Sequence, residues 1–490
     1  MKIIENTGKA LTNFVKLDIS KKEFFSSISL LFIIYFVAII SILRANFHYI
    51  DDLRRNIDGY GLAGAFSRHI SKYLSHIIHA DSHITDVSPL PQLVACLILA
   101  LTGFIVVKTI CNKSNKLLLI ASLPIGLSPY FLECFSYKFD SPYMALSVLA
   151  GVFPFLFMQK NRWLYALICI LSTLIMTMTY QAASGVFIMM TLFIFFTNLN
   201  LKKTTIKDNL IFLAISLASY CAAILIFKLF LMKPIDFGYV STSVADLKNI
   251  VAVFSKNLKI YWRNIHYDLN IIWRVLMYAI VAIYYIKTIF LSKQNKILAF
   301  FLTSIFLVLM FLSSFGLYLV LEQPLRMPRA MYGVGFFIAL LSIDICFSLK
   351  KIFAIVPIAL IWCFFVFYFA YGNALADQKR YATFRTELLL QDLSSLFPDK
   401  PDKPYAIRII NSIGHSPVVE NIAKNNPIVR KLVPVNLKEK WPWGYYYLTR
   451  YHKFKLVMSD NLIADEMPVV FDSYYHTIKS SDSQIVVILK

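Results

Sequence analysis

Two carboxylates stand side by side in His48-Tyr49-Ile50-Asp51-Asp52-Leu53-Arg54-Arg55, directly after the first long apolar run of the chain. An adjacent Asp pair beside two arginines can do three things. It can take a proton from an attacking hydroxyl, hold a divalent cation through oxygen ligands, or pair with Arg54 and Arg55 as a solvated cluster. Spacing leaves all three open. A third acid, Asp140, occurs in Ser136-Tyr137-Lys138-Phe139-Asp140-Ser141-Pro142, where an Asp ahead of Ser-Pro suits a helix start. That capping role is compatible with catalysis. Arg326 and Arg329 lie in the turn Glu322-Gln323-Pro324-Leu325-Arg326-Met327-Pro328-Arg329. Guanidinium groups there suit bidentate binding of a phosphate, or snorkelling to lipid headgroups. Tyr180-Gln181 marks a short turn between two apolar runs, and Gln181 either faces a cavity or finishes the turn. The stretch His79-Ala80-Asp81-Ser82-His83 invites a metal reading, but no catalytic zinc signature accompanies it.

The elements that must position these residues are mostly membrane spans. The chain has 490 residues, of which 58% are hydrophobic, and a mean hydropathy of +0.63. Its apolar runs are long enough to cross a hydrocarbon core of roughly 30 Å. Eleven spans are expected: 24–43, 92–108, 117–133, 142–158, 163–180, 182–199, 210–231, 271–291, 298–321, 331–349 and 352–371. The net charge of +21 does not point to nucleic acid here, because many of the Lys and Arg residues sit in short loops as topology determinants. Lys2, Lys9, Lys16, Lys21 and Lys22 in the N-terminal tail, and the pairs and triplets at 108–116, 160–162, 202–207, 293–296 and 350–351, fall on one side if the N-terminus is cytoplasmic. Eleven spans then place the C-terminus outside. Seven cysteines lie in or beside apolar runs, so no disulfide framework is indicated, and no cleavable signal precedes the first span.

That topology gives a transmembrane part, 1–371, and an external C-terminal part, 372–490. Alternating runs at Tyr405–Ile410 and Gln484–Leu489 read as strands, so a small α/β domain is expected there. The cluster Trp441, Trp443, Tyr445, Tyr446 and Tyr447 suits an interfacial or small-core role better than a sugar-gripping one. The first outer loop, 44–91, contains an amphipathic stretch over 62–78, with Leu62, Phe66, Ile70, Tyr73, Leu74 and Ile77 on one face. It should lie in the interface plane rather than span.

The first loop, read as Tyr49-Ile50-Asp51-Asp52, Arg55, Gly59-Tyr60, Arg68 and Asp86-Val87-Ser88-Pro89-Leu90, resembles the type II family of serotype-converting O-antigen glucosyltransferases. The resemblance continues through Ser128-Pro129-Tyr130, Ser136 to Ser141, Tyr180-Gln181 and Pro328-Arg329, covering most of the membrane part. One position departs from the family pattern: Ser67 precedes Arg68 where the family has glycine. The resemblance implies a C-superfamily (GT-C-like) inverting membrane glycosyltransferase of the bacterial inner membrane. Such an enzyme would move glucose from undecaprenyl-phosphate glucose to lipid-linked O-antigen at the periplasmic face and change serotype. It implies Asp51 or Asp52 as base and Asp140 as a second acid. It also implies Arg326, Arg329, Arg55 and Arg68 on the donor phosphate, and Tyr60, Tyr137, Lys138 and Gln181 around the substrates. No cofactor is implied, a divalent cation being the one open addition. A flippase and a polyprenyl-phosphate glucose synthase would serve the same pathway. The rival readings are a flippase or transporter for a lipid-linked sugar, which would favour ionisable residues near the midplane of the spans, and an O-antigen polymerase.

Overall fold

The computed structural model describes residues 20–61, 64–236, 240–397, 404–450 and 456–490. Lys2, Lys9 and Lys16, and Leu62 at the expected start of the loop helix, lie outside these residues. Eight helices among them are long and apolar enough to cross a membrane: Lys21–Ala45, Leu90–Cys111, Arg162–Thr179, Gln181–Leu201, Ile206–Leu231, Ile271–Phe290, Lys296–Ser313 and Lys351–Leu396. Three shorter apolar helical segments, Lys116–Leu127, Ser141–Phe157 and Gly333–Ser348, occupy the other three expected spans. The outer surface is apolar, with Phe290, Ile297, Phe301 and Ile305 exposed, as lipid contact requires and water would not favour. Such a surface marks a membrane protein. Several helix starts carry Asn caps: Asn161, Asn270 and Asn295 accept the N–H two residues on at 2.8–2.9 Å.

Two expected spans differ in form. The stretch 117–133 is not one helix. It breaks into Lys116–Ala121, Pro124–Leu127 and Leu132–Ser136, because Pro124 and Pro129 lack the N–H that an uninterrupted helix needs. The last span does not stop at 371. Helix Ile355–Leu396 continues for 42 residues, so the expected boundary at 371/372 falls inside it.

Beyond Leu396 lies a five-stranded sheet of order β2-β1-β5-β4-β3, formed by β1 Tyr405–Ile410, β2 Leu456–Met458, β3 Val469–Asp472, β4 His476–Ser481 and β5 Gln484–Leu489. β1 pairs in parallel with β2 and β5, and β4 runs antiparallel to both β3 and β5. The long helix anchors this domain. Arg385 donates to the carbonyls of Tyr475 and Lys490 at 2.7 and 2.8 Å, and Gln378 accepts from Ser416 N–H at 2.7 Å.

The first and last spans pack tightly. A Cβ at Gly372 would collide with the backbone of Ser41, and Ser41 Oγ donates to the Tyr368 carbonyl at 3.0 Å. Small residues allow this close approach, and it fixes the root of the first loop.

Candidate active site

Asn46 ends the first helix with a left-handed φ of 45°, its N–H bonding the carbonyls of Ile42 and Leu43. Ile50, at φ 46°, then turns the chain into helix Asp51–Asp58. That conformation is unusual for a β-branched residue. Both acids occupy the first turn, where the helix dipole favours negative charge. Neighbours on a helix diverge by about 100° at 3.6 residues per turn, so the two acids face different surroundings.

Asp52 is fully buried. Its Oδ2 accepts N–H groups of Lys138 at 2.8 Å and Tyr49 at 3.3 Å, tying the first loop to the 136–140 segment. Burial pushes its pKa well above the usual range, against the pull of Arg55. Asp51 instead lines a cavity of about 230 Å³. Burial raises its carboxyl pKa too, opposed by Arg55, reinforced by Asp140, and opposed again by Arg329 and Arg68. A half-buried carboxylate with a raised pKa is suited to act as a general base.

The neighbouring charges are held by specific partners. Arg55 bonds Asp140 at 2.8 Å. Asp140 occupies the N-cap position of helix Ser141–Val152, but its side chain makes no cap bond there, its carboxylate being engaged with Arg55. Arg329 is clasped by Glu133, which is only 1% exposed. The Arg329 N–H donates to Glu133 Oε2 at 2.8 Å and its guanidinium forms an ion pair with the other oxygen. Arg68 stacks over Phe66 and Tyr180 at 4.9 and 4.6 Å, and its Nε reaches Gln181 Oε1 at 3.4 Å. Asp86 is held well below the usual carboxylate range. Burial works against this, but bonds from His48 and Lys138 and the charge of Lys138 outweigh it.

The loop helix is shorter than the apolar periodicity predicts, running His69–Ile78. Its start is set by Ser67, whose φ of 59° belongs to the left-handed region and so suits glycine. Ser67 Oγ accepts the Lys233 N–H at 2.7 Å, which ties down this turn. Tyr73 and Ile77 are 68% and 73% exposed, while Ser71 Oγ donates to the Thr179 carbonyl at 3.1 Å. The helix thus packs through its polar face and leaves apolar side chains outward, as an interfacial helix does.

Of the residues singled out from the sequence, the cavity gathers Asp51, Arg55, Arg68, Tyr137, Asp140, Gln181 and Arg329. Four others do not line it. Asp52 is turned into the packing, and Arg326 is exposed on the turn. Lys138 is engaged with Asp86 at 2.6 Å. Tyr60 lies under Arg54, 4.5 Å from its guanidinium, with Tyr446 at 5.3 Å from the same group. Tyr447 is buried in the core of the C-terminal domain with Tyr445 and Tyr446 packed against it, and Leu53 of the acidic helix shares that core. Lys228, which lines the cavity, and Glu133, which holds Arg329, are additions to the residues singled out from the sequence. A lone Glu in an apolar run was the available signal. Among the described residues no group of three or more His, Cys, Asp or Glu side chains is gathered as for a metal.

Much of the remaining lining is apolar, with Ile224, Phe227, Met232, Leu317, Val320 and Leu321. Gly316 permits this wall. At φ 53° it brings its backbone against Ser184 and Gly185, where a Cβ would collide.

Fold and cavity together define a polytopic membrane protein with a cavity lined by both charged and apolar side chains. The model of the family Glucosyl transferase GtrII matches residues 40–346, and the chain belongs to that family: it is a glycosyltransferase. The match takes in Asp51, Asp140, Glu133, Lys228 and Arg329 and stops before the long last helix. A protein of Salmonella phage P22, described as an uncharacterized 55.3 kDa protein in the gtrB 5' region, is 24% identical over 417 residues, 82% of this chain and 85% of the relative. No solved structure matches.

Proposed function

We propose that the cavity transfers glucose from undecaprenyl-phosphate glucose to a sugar hydroxyl of lipid-linked O-antigen at the periplasmic face of the bacterial inner membrane, with inversion. Asp51 takes the proton of the acceptor hydroxyl as that oxygen attacks the anomeric carbon. The bond from that carbon to the phosphate oxygen breaks, and the lipid phosphate leaves with the electron pair. Cations at the rim, Arg329 and Arg68 among them, oppose the negative charge that gathers on the leaving phosphate. Asp140 holds Arg55 in place beside the base. The reading rests chiefly on one observation: a half-buried carboxylate shares a single cavity with guanidinium groups and a largely apolar lining. A donor made of sugar, phosphate and isoprenoid needs those same three kinds of contact. The name of the phage relative, with its gtrB neighbourhood, supports O-antigen as the acceptor.

The test is expression in a strain with a defined O-antigen, comparing wild type, Asp51→Asn and Asp52→Asn by glycan mass. One hexose per repeat should appear with wild type and vanish with Asp51→Asn. Full modification by the Asp51→Asn protein would remove the proposed base.

A further inference from the structure

Four cations line the cavity: Arg55, Arg68, Lys228 and Arg329. Two are already neutralised, Arg55 by Asp140 and Arg329 by Glu133. Arg68 and Lys228 have no ion-pair partner among the described residues, although both border the same cavity. A cation facing a low-dielectric chamber without a counter-charge is costly. An anionic ligand would remove that cost.

The setting of Lys228 narrows the choice of ligand. It falls in a single π-helical turn, Phe227–Leu231, that ends the span starting at Ile206. The wider turn shifts the side-chain directions away from the α-helical spacing at the point where the span ends. Phe227 points inward and is buried, whereas Leu229 and Phe230, the next two residues after Lys228, are 64% and 78% exposed on the lipid-facing surface. Lys228 is itself exposed while lining the cavity, so at this point the chamber wall and the outer surface are the same residue. The neighbouring wall is apolar, through Leu317, Val320 and Leu321.

We infer that Lys228, together with Arg68, receives the phosphate of the lipid-linked sugar, and that the isoprenoid chain leaves the cavity sideways past Lys228 into the bilayer. This rests on reading the cavity as the donor site. It assigns the ground-state phosphate contact to the two cations without partners, and leaves the paired Arg55 and Arg329 to shape the reacting centre. A lateral opening also means that a substrate tens of carbons long need not fit inside the protein.

The experiment is a binding titration of polyprenyl phosphate and of the corresponding uncharged polyprenol, both without sugar, on the full chain in lipid nanodiscs. Wild type should prefer the phosphate. Lys228→Ala should lose about tenfold or more of the phosphate affinity, as loss of one charge-assisted contact implies, with polyprenol binding unchanged, and Lys228→Arg should restore the preference. Lys228→Gln repeats the measurement if the alanine variant is poorly made. If Lys228→Ala and Lys228→Gln keep the full phosphate preference, the inference about Lys228 is wrong while the donor-site reading stands. If wild type itself does not distinguish phosphate from alcohol, the donor-site reading falls, and this inference with it.

Discussion

Buried ion pairs occur at both ends of the helical body, and their surroundings differ. At the first-loop end, Arg55–Asp140 and Arg329–Glu133 border an open cavity. At the opposite end, Lys287 of helix Ile271–Phe290 pairs with Asp344 of helix Gly333–Ser348, and Ser348 Oγ donates to the second carboxylate oxygen at 3.1 Å. Neither Lys287 nor Asp344 lines the cavity. Ionisable groups within apolar spans are functional candidates by default. Here the default needs a second condition, a space that a ligand can occupy. A closed pair can set the register of two helices, whereas a pair beside a cavity can also bias the charge state of what enters.

The sharpest way to break this comparison is at the base. Asp51→Asn should cost about 10²–10⁴-fold in turnover, the range for loss of a general base. Asp52→Asn, whose remaining carbonyl oxygen can still accept from Lys138 and Tyr49, should stay within about tenfold of wild type. Steady-state glucosyl transfer in nanodiscs measures both, and equal losses would remove the distinction between the two acids.

Next come the pairs. Removing one member, as in Glu133→Ala or Asp344→Ala, should destabilise by about 3–5 kcal/mol through a stranded charge. Replacing both members with apolar residues should recover the fold at either end. Thermal unfolding in detergent should therefore show Lys287→Met/Asp344→Leu and Arg329→Met/Glu133→Leu near wild type. Only the first of these should retain transfer activity. Loss of activity in both would merge the two classes of pair.

A smaller effect is expected on the pH profile. The active form of Asp51 is the carboxylate, and its folded pKa is raised, so kcat/KM should fall as pH drops through a value above the ordinary ~3.9 of Asp. Asp140→Asn removes a like charge that raises Asp51 and releases Arg55 to face it, so the acid limb should move to lower pH. A limb that stays in place would uncouple Asp140 from Asp51.

The smallest effect concerns Ser67. Ser67→Ala loses the bond to Lys233 and keeps the left-handed strain, and should cost about 1–2 kcal/mol. Ser67→Gly loses the bond but relieves the strain, and should cost less than about 1 kcal/mol. The reverse order in thermal unfolding would contradict the backbone explanation.

Much of the scaffold was legible because apolar length and loop charge carry the information. The strands Tyr405–Ile410 and Gln484–Leu489 form where the alternating pattern puts them. The first-loop acids were legible as a pair but not as individuals, since their division of labour depends on the turn at Ile50 and on a backbone N–H from Lys138, far along the chain. Glu133 was hidden by reading 117–133 as one uninterrupted span, although Pro124 and Pro129 mark the breaks. The start of the loop helix was misplaced because apolar spacing ignores backbone handedness, and Ser67 at positive φ delays the first turn. Nothing in its spacing sets Lys228 apart from an ordinary residue near a span end. Its meaning depends on which other cations are already paired.

The 42-residue helix Ile355–Leu396 has a mechanical consequence. At 1.5 Å per residue it is about 63 Å long, of which a bilayer core occupies roughly half. It is one stiff rod, gripped at Gly372 by the first span and at Arg385 by the sheet. The sheet domain therefore stands at a set height above the lipid, and a change in bilayer thickness would tilt the rod, the first span and the acidic helix as one lever.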